Sequence, residues 1–308
     1  MSSVPTARLA RPILLFGGTG QVGRELLPVL ASIGQVAAPS RTDADLAQPD
    51  MLRAAIRHVR PSVVVNAAAL TNVDRAEQEP DLAHQLNDVA PRVMAEEARD
   101  AGAVMVHYST DYVFDGARDT PYEECDEPNP INIYGATKLA GERSVAAAGG
   151  PHLVIRTSWV YSRTGAGFVP TLLRQLRIPG DIRVMADQTG SPTWSRSLAL
   201  ATTAMLRALI SAGQARLPDE WSGVHHLGGA GSASRVEIAR HLIAIEREFS
   251  PADPGGPQLV VPVTASEFGA LAPRPSYSAL ANVRALRHFG VTLDPWRTEL
   301  RRMLAEAR

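Results

Sequence analysis

Cysteine is almost missing from this chain: Cys125 is the only one in 308 residues. With no second thiol, an intramolecular disulfide is excluded, and Cys125 is expected as an ordinary loop thiol. Long hydrophobic runs are missing too, since no apolar stretch approaches the roughly 18 residues needed to span a bilayer. Arg8 and Arg11 precede only the short apolar run Ile13-Leu14-Leu15-Phe16 before glycines intervene. That is too short for a secretory signal, so residues 1–12 read as the ragged start of a cytoplasmic protein. An excess of charge of either sign is absent as well. The formal net charge of −1 argues against nucleic acid or an anionic membrane as the main partner. No tandem repeat, heptad run or low-complexity tail stands out. What remains is a chain long enough for one large or two modest domains with a sizeable core.

Apolar runs alternate with helical patterns through the first half. Ile13 to Phe16, Val36 to Ala38, Val63 to Asn66, Val104 to Tyr108 and Leu153 to Ile155 read as strands. Between them Arg24 to Leu30, Pro49 to Val59, Pro80 to Asp100 and Tyr134 to Ala147 read as helices, with Pro28 expected to kink or shorten the first. Strand, helix, strand at this spacing predicts right-handed crossovers and a doubly wound parallel sheet, the Rossmann-like α/β class. Ligands of such sheets bind outside the carboxyl ends of the strands. The glycine loop, Asn66, Ser109-Thr110 and Ser158-Trp159 all stand at such ends and should converge on one crevice. After about residue 160 the pattern loosens. Residues 1–160 are read as the dinucleotide domain and 161–308 as mainly a smaller substrate-binding lobe, with about 195–215 returning to the sheet. Within the lobe a helix is expected over Ser195 to Ile210 and a strand over Val224 to Leu227. A second helix, capped by Ser234, should precede a loop over Ser250 to Pro257 and a strand from Leu259.

Two motifs carry chemistry. Gly17, Gly20 and Gly23 have Gly-x-x-Gly-x-x-Gly spacing between an apolar strand and a helix. Missing side chains allow a tight turn, close approach of a pyrophosphate to backbone N–H groups, and tight helix-on-strand packing. Tyr134 and Lys138 stand at i and i+4, hence on one helix face. A cation near a phenol favours the phenolate and moves its pKa from about 10 toward the working range. Thr110 at a strand end would hold a carbonyl oxygen against that phenol. This is equipment for moving a proton on an oxygen while a hydride moves elsewhere.

The chain resembles the extended short-chain dehydrogenase/reductases, and among them the dTDP-4-dehydrorhamnose reductases. The resemblance rests on Leu14 to Glu25 (LLFGGTGQVGRE), Val65 to Asp74 (VNAAALTNVD), Ala76 to Pro80, His107 to Phe114 (HYSTDYVF), Asn132 to Glu142 (NIYGATKLAGE) and Arg156 to Tyr161 (RTSWVY). Weaker echoes follow at Asp187 to Thr193, Arg274-Pro275 and Arg302 to Leu304. It implies reduction of dTDP-4-dehydro-β-L-rhamnose to dTDP-L-rhamnose, with Thr110, Tyr134 and Lys138 as catalytic triad. Tyr134 would donate the proton, Lys138 would hold the nicotinamide ribose and depress the phenol's pKa, and Thr110 would orient the carbonyl. Thr110, Asp111 and Trp159 match substrate-contacting positions. Gly20-Gln21-Val22 match the pyrophosphate turn, Asp45-Leu46 the segment beside adenine, and Ala69-Leu70-Thr71 the loop after the third strand.

Two departures bear on ligands. Ser40-Arg41 stands where some relatives carry an acidic residue for the adenosine ribose. An arginine suits a 2′-phosphate, so NADPH is favoured over NADH. Glu25 matches a ligand of the Mg²⁺ that bridges some family dimers, but Arg196 replaces the matching glutamate. Mg²⁺ requires oxygen donors, so no metal is expected, and monomer or homodimer stays open. A 4,6-dehydratase, a 4-epimerase and a non-catalytic NADP-binding subunit remain alternatives. Tyr112 replaces the glutamate usual in dehydratases, and an intact triad speaks against a regulatory subunit. His107 reads as a hydrogen-bonded core histidine, and the adjacent His225 and His226 point to opposite strand faces. Asp74, Glu77 and Glu79 are expected to face solvent, and Trp296, Arg301 and Arg302 to pack a C-terminal helix.

Overall fold

The computed structural model describes residues 8–211, 217–249 and 259–306. The loop expected over Ser250 to Pro257, the first seven residues and positions 212–216 of the expected returning segment lie outside the described residues. In chain order the first half runs β1 (Ile13–Phe16), α1 (Gln21–Leu30), β2 (Val36–Ala37), α2 (Pro49–Val59), β3 (Val63–Asn66), α3 (Val73–Gln78), α4 (Pro80–His84), α5 (Ala90–Asp100), β4 (Val104–Thr110), α6 (Ile133–Ala147) and β5 (His152–Thr157). The second half continues with β6 (Val160–Tyr161), α7 (Phe168–Gln175), β7 (Ile182–Met185), β8 (Thr189–Gly190), β9 (Thr193–Trp194), α8 (Ser195–Ser211) and β10 (Gly223–His226). It ends with β11 (Ala233–Ser234), α9 (Arg235–Phe249), β12 (Val260–Val263), α10 (Val283–Phe289) and α11 (Trp296–Ala305).

The apolar runs pair in a parallel six-stranded sheet of order β10-β5-β4-β3-β1-β2. Its register aligns Phe16, Asn66, His107 and Val154 across neighbouring strands. Because side chains alternate between faces, the sheet feeds two cores. Ile13, Leu15, Val65, Val106 and Ile155 pack with Leu26 and Leu198 on one side. Leu14, Phe16, Val64, Met105 and Val154 pack with Leu52, Ile56 and Met94 on the other. Each such buried side chain contributes about 1.5–3 kcal/mol. The doubly wound Rossmann-like class is therefore what these residues build.

The second half departs from the sequence reading in one respect. Beyond the helix expected to return, β10 pairs in parallel with β5 and extends the sheet, while α8 packs on α1. A four-residue strand, Gly-Val-His-His, does not announce which sheet it joins. A third core, of Tyr161, Leu172, Val184, Trp194, Ala239 and Leu242, belongs to the lobe. Trp296 and Leu300 on α11 pack into it, as expected of the C-terminal helix.

Two helices also differ from expectation. The long helix predicted from Pro80 is interrupted by a π-helical turn at Gln85–Val89 between α4 and α5. At that turn Asn87 is fully buried, its Oδ1 accepting from Leu70 N–H at 2.9 Å and its Nδ2 donating to Leu70 O at 3.1 Å. A π turn bulges one residue out of register, and here it turns that amide onto the loop after β3. In α1 the helix runs through Pro28 and stops at Leu30.

Candidate active site

The carboxyl ends of β1, β3, β4 and β5 open into a cavity of about 780 Å³. Gly17, at φ +81°, makes the turn out of β1. A Cβ on Gly23 would fall 2.0 Å from Gly17 O, so α1 starts hard against that turn. Gly20 caps α1 with no side chain, and the first turn holds no acidic residue. The N–H groups there are free to meet an anion, and the helix dipole favours one. Gly17, Gly20, Gln21 and Val22 line the cavity, whereas Gly23 acts behind it as packing.

At the end of the cavity expected to meet adenosine, Arg41, Asp45 and Leu46 line the wall. The Arg41 side chain is 82% exposed, with Nε 3.3 Å from Asp45 Oδ2. Asp43 turns away and accepts from Ser40 Oγ at 2.6 Å. Ser40 is thus spent on its own turn and does not line the cavity, because its hydroxyl closes the loop. Ala69, Leu70 and Thr71 line the wall from the loop after β3.

The opposite end gathers the catalytic candidates. Thr110, Asp111, Tyr134, Lys138 and Trp159 all line the same cavity. Asn132 caps α6, its Oδ1 accepting from Gly135 N–H at 2.7 Å, which sets the turn carrying Tyr134. Glu77 Oε1 accepts from Ile133 N–H at 2.8 Å. Asp74 takes both Arg274 Nη2 contacts, at 3.0 and 2.9 Å, and the Leu271 and Ala272 N–H groups. The expectation that Asp74 and Glu77 face solvent is therefore corrected: they brace α6 and the C-terminal segment. Glu79 does pair at the surface, with Arg75.

The electrostatics also differ from the expectation. The Tyr134 phenol is pushed up, first by burial and then by Asp111 and Tyr112, while the Thr110 hydroxyl opposes the shift. Lys138 does not reverse this. It is itself buried, pulled down to about 8 by burial, and its Nζ donates to Tyr108 O at 2.7 Å. A helical i,i+4 spacing brings two side chains to one face but does not aim them at each other.

Asp111 is buried and pushed up to about 6 by burial, against hydrogen bonds from Ser278 at 2.5 Å, Ser158 at 2.9 Å and Thr110 at 3.1 Å. One carboxylate thus ties β4, the turn after β5 and the C-terminal segment together. Trp159 adopts φ +42°, which costs about 1–2 kcal/mol for a bulky side chain. Gly190 lets it stay there, since a Cβ would approach Trp159 Cε2 to 2.6 Å. Ser191 and Thr193 are braces, bonding Ser158 and Gly229.

Arg235 was invisible to the sequence reading. Opening α9, it lines the cavity with its guanidinium 4.3 Å from the Trp159 ring centre and 5.4 Å from that of Phe168. Its buried Nε has no hydrogen-bond partner among the described residues. No motif surrounds it, and only the fold brings it to Trp159. Cys125 is exposed. Arg196 lies 3.2 Å from Glu25 and also pairs with Glu306. Among the described residues no group of three His, Cys, Asp or Glu side chains could hold a metal, and no helix is long and apolar enough to cross a membrane.

Comparison with known proteins gives the family. The profile of the RmlD substrate binding domain matches residues 11–308. A dTDP-4-dehydrorhamnose reductase of Burkholderia thailandensis is 41% identical over 92% of the chain and 95% of the relative. The chain belongs to the dTDP-4-dehydrorhamnose reductase family. A relative of the same name from Escherichia coli K12 is 37% identical over 96% of the chain and 97% of its own length. The Bacillus anthracis dTDP-4-dehydrorhamnose reductase, solved in complex with NADP, superposes with a TM-score of 0.84 at 32% identity, covering 97% of this chain and 100% of that one. The Thermus thermophilus UDP-glucose 4-epimerase, at 19% identity and TM-score 0.72, shares the fold.

Proposed function

We propose that the chain reduces dTDP-4-dehydro-β-L-rhamnose to dTDP-L-rhamnose with NADPH, Tyr134 giving the proton to the C4 oxygen. The observation carrying this reading is the convergence of Thr110, Tyr134 and Lys138 with the glycine turn on one cavity. The turn fits the dinucleotide: Gly17 and Gly23 leave no room for side chains, and the start of α1 offers unpaired N–H groups. Arg41 would meet a 2′-phosphate by a charge-assisted hydrogen bond. When bound, reduced nicotinamide supplies the hydride.

The chain's own residues do the rest. Burial keeps the Tyr134 phenol protonated at neutral pH, the state a proton donor needs. Thr110, whose hydroxyl opposes the rise of that phenol's pKa, would position a carbonyl. Asp111 holds Thr110 and the lobe in place, and Trp159 with Arg235 forms the wall against the sugar nucleotide. Tyr112, where a dehydratase would need a carboxylate, is buried, and burial pushes its phenol up. A lone exposed thiol suits a reducing cytoplasm.

The test supplies dTDP-4-dehydrorhamnose with NADPH and follows the absorbance of reduced nicotinamide, with parallel wells of NADH and of UDP-linked ketosugars. Tyr134→Phe is expected to lower turnover by roughly 10²–10⁴ with little change in NADPH affinity. Near wild-type turnover in that variant would remove Tyr134 as proton donor.

A further inference from the structure

Gly190 has an ordinary backbone, outside the left-handed region, so its own conformation does not ask for glycine. What excludes a side chain there is Trp159. An added Cβ would lie 2.6 Å from Cε2, 2.7 Å from Nε1 and 2.9 Å from Cδ2 of the indole. Three atoms of one ring at nearly equal distance put the missing methyl over the face of that ring, not at its edge. Trp159 and Arg235 line the cavity whereas Gly190 does not. The glycine therefore backs the indole from behind.

Neither backbone is free to retreat. Ser191 N–H donates to Ser158 Oγ at 3.1 Å and Thr193 N–H to Trp159 O at 3.3 Å. Just beyond, β9 pairs with β6, Thr193 standing opposite Val160. The strand that carries Gly190 is also the middle of a three-stranded ribbon. On one side β11 runs antiparallel to β8, with Ala233 opposite Gly190, two residues before Arg235. On the other, Thr189 N–H donates to Ser276 O and Ser278 N–H to Thr189 O, both at 2.8 Å. Three contacts of the lobe thus share one ribbon: Gly190 behind Trp159, Arg235 at 4.3 Å from its ring centre, and Ser278 on Asp111 at 2.5 Å. Trp159 is held there against two costs, a φ of +42° and a buried indole N–H with no partner among the described residues. Strain of this kind persists only where the surroundings over-determine it, and it gathers at ligand sites.

We propose that Gly190 is a positioning residue that sets the depth of the sugar end, which rests on the reading of Trp159 as part of the wall against the sugar nucleotide. With no side chain at 190 the indole sits back against β8 and leaves room for the hexose ring. Any side chain there makes the site shallower, because both backbones are pinned and the ring can yield only toward the cavity. Glycine is the limit, so the site stands at the greatest depth the ribbon permits. The turn between β1 and α1 takes no part in this.

Protein grown on 5-fluorotryptophan carries four labelled side chains, and the ¹⁹F line missing from Trp159→Phe identifies Trp159. In Gly190→Ala that line should move, while the lines of Trp221 and Trp296 stay. KM for the dTDP-linked 4-ketosugar should rise by about tenfold or more, with kcat held within about threefold and NADPH affinity within about twofold. Trp159→Phe leaves a smaller ring with room for the methyl, so adding Gly190→Ala to it should raise KM by less than about twofold further. An unmoved Trp159 line in Gly190→Ala overturns the seating. A moved line with an unchanged KM overturns the depth, and a tenfold loss that persists beside phenylalanine overturns action through Trp159. Should Gly190→Ala alone not fold, recovery of folding in the double variant supports the seating, and no recovery overturns it. Absence of turnover in the wild type would instead sink the ketosugar reading of the cavity, and the fluorine line would still judge the seating.

Discussion

The two ends of the cavity are built by different means. The end proposed for the dinucleotide is made by contiguous chain: Gly17 to Val22 line it as a turn into a helix, with Gly23 packed behind. The end proposed for the sugar is made by side chains from four distant segments. Asp111 follows β4, Ser158 and Trp159 follow β5, Arg235 opens α9, and Ser278 comes from the C-terminal stretch. A surface of backbone has little latitude for substitution, because added atoms meet main chain. A surface of side chains can be re-aimed by single replacements without losing the fold. One end is suited to an invariant ligand and the other to a chosen one.

The largest expected effect strikes the first end. Gly23→Ala puts a Cβ 2.0 Å from Gly17 O, and only movement of the turn relieves it. Overpacking of this kind costs about 1–3 kcal/mol, and displacing the turn should also abolish measurable NADPH binding. Thermal unfolding and nicotinamide fluorescence titration check the two parts. A variant that binds NADPH normally would show that the turn is pliable and erase the contrast drawn above.

A smaller effect is expected at the other end. Arg235→Leu keeps bulk between Trp159 and Phe168 but removes a cation whose Nε lacks a partner among the described residues. A charge-assisted hydrogen bond is worth about 1.5–3 kcal/mol, so kcat/KM for the sugar nucleotide should fall by roughly ten- to a hundredfold. NADPH affinity should stay within about twofold, since the change is remote from the turn. Equal losses in both would mean that the two ends are not independent.

The smallest effect sharpens the comparison within the dinucleotide end. Arg41 is largely exposed and already shared with Asp45, so solvent screens most of its field. Arg41→Ala should weaken NADPH by about three- to tenfold and leave NADH unchanged. Competitive binding of the two coenzymes decides it, and parallel losses would remove the 2′-phosphate contact.

Much of this was legible in the residues. Strand positions, the crossover pattern and the glycine turn follow from local rules of periodicity and backbone freedom, and β1, β3, α2 and α6 stand within a residue of where the pattern puts them. The grouping of Thr110, Tyr134 and Lys138 was legible because strand ends in such a sheet share an edge. The direction of the Tyr134 pKa shift was not. Spacing placed the lysine near, but Tyr108 O and His107 captured its amine. Asp74 and Glu77 misled for a related reason: a carboxylate at a helix start reads as solvated until a distant Arg274 or Ile133 N–H is folded onto it.

By itself, then, the sequence determined whatever depends on neighbours along the chain: the parallel sheet, the turn that can take a pyrophosphate, and the helix face bearing phenol and amine. Tertiary structure alone decided β10's place in the sheet, Arg235 against Trp159, the three hydroxyls on Asp111 and the capture of Lys138 by Tyr108 O. Those depend on desolvation and hydrogen-bond partners brought together from far apart in the chain, and neither quantity exists until the chain has closed around them.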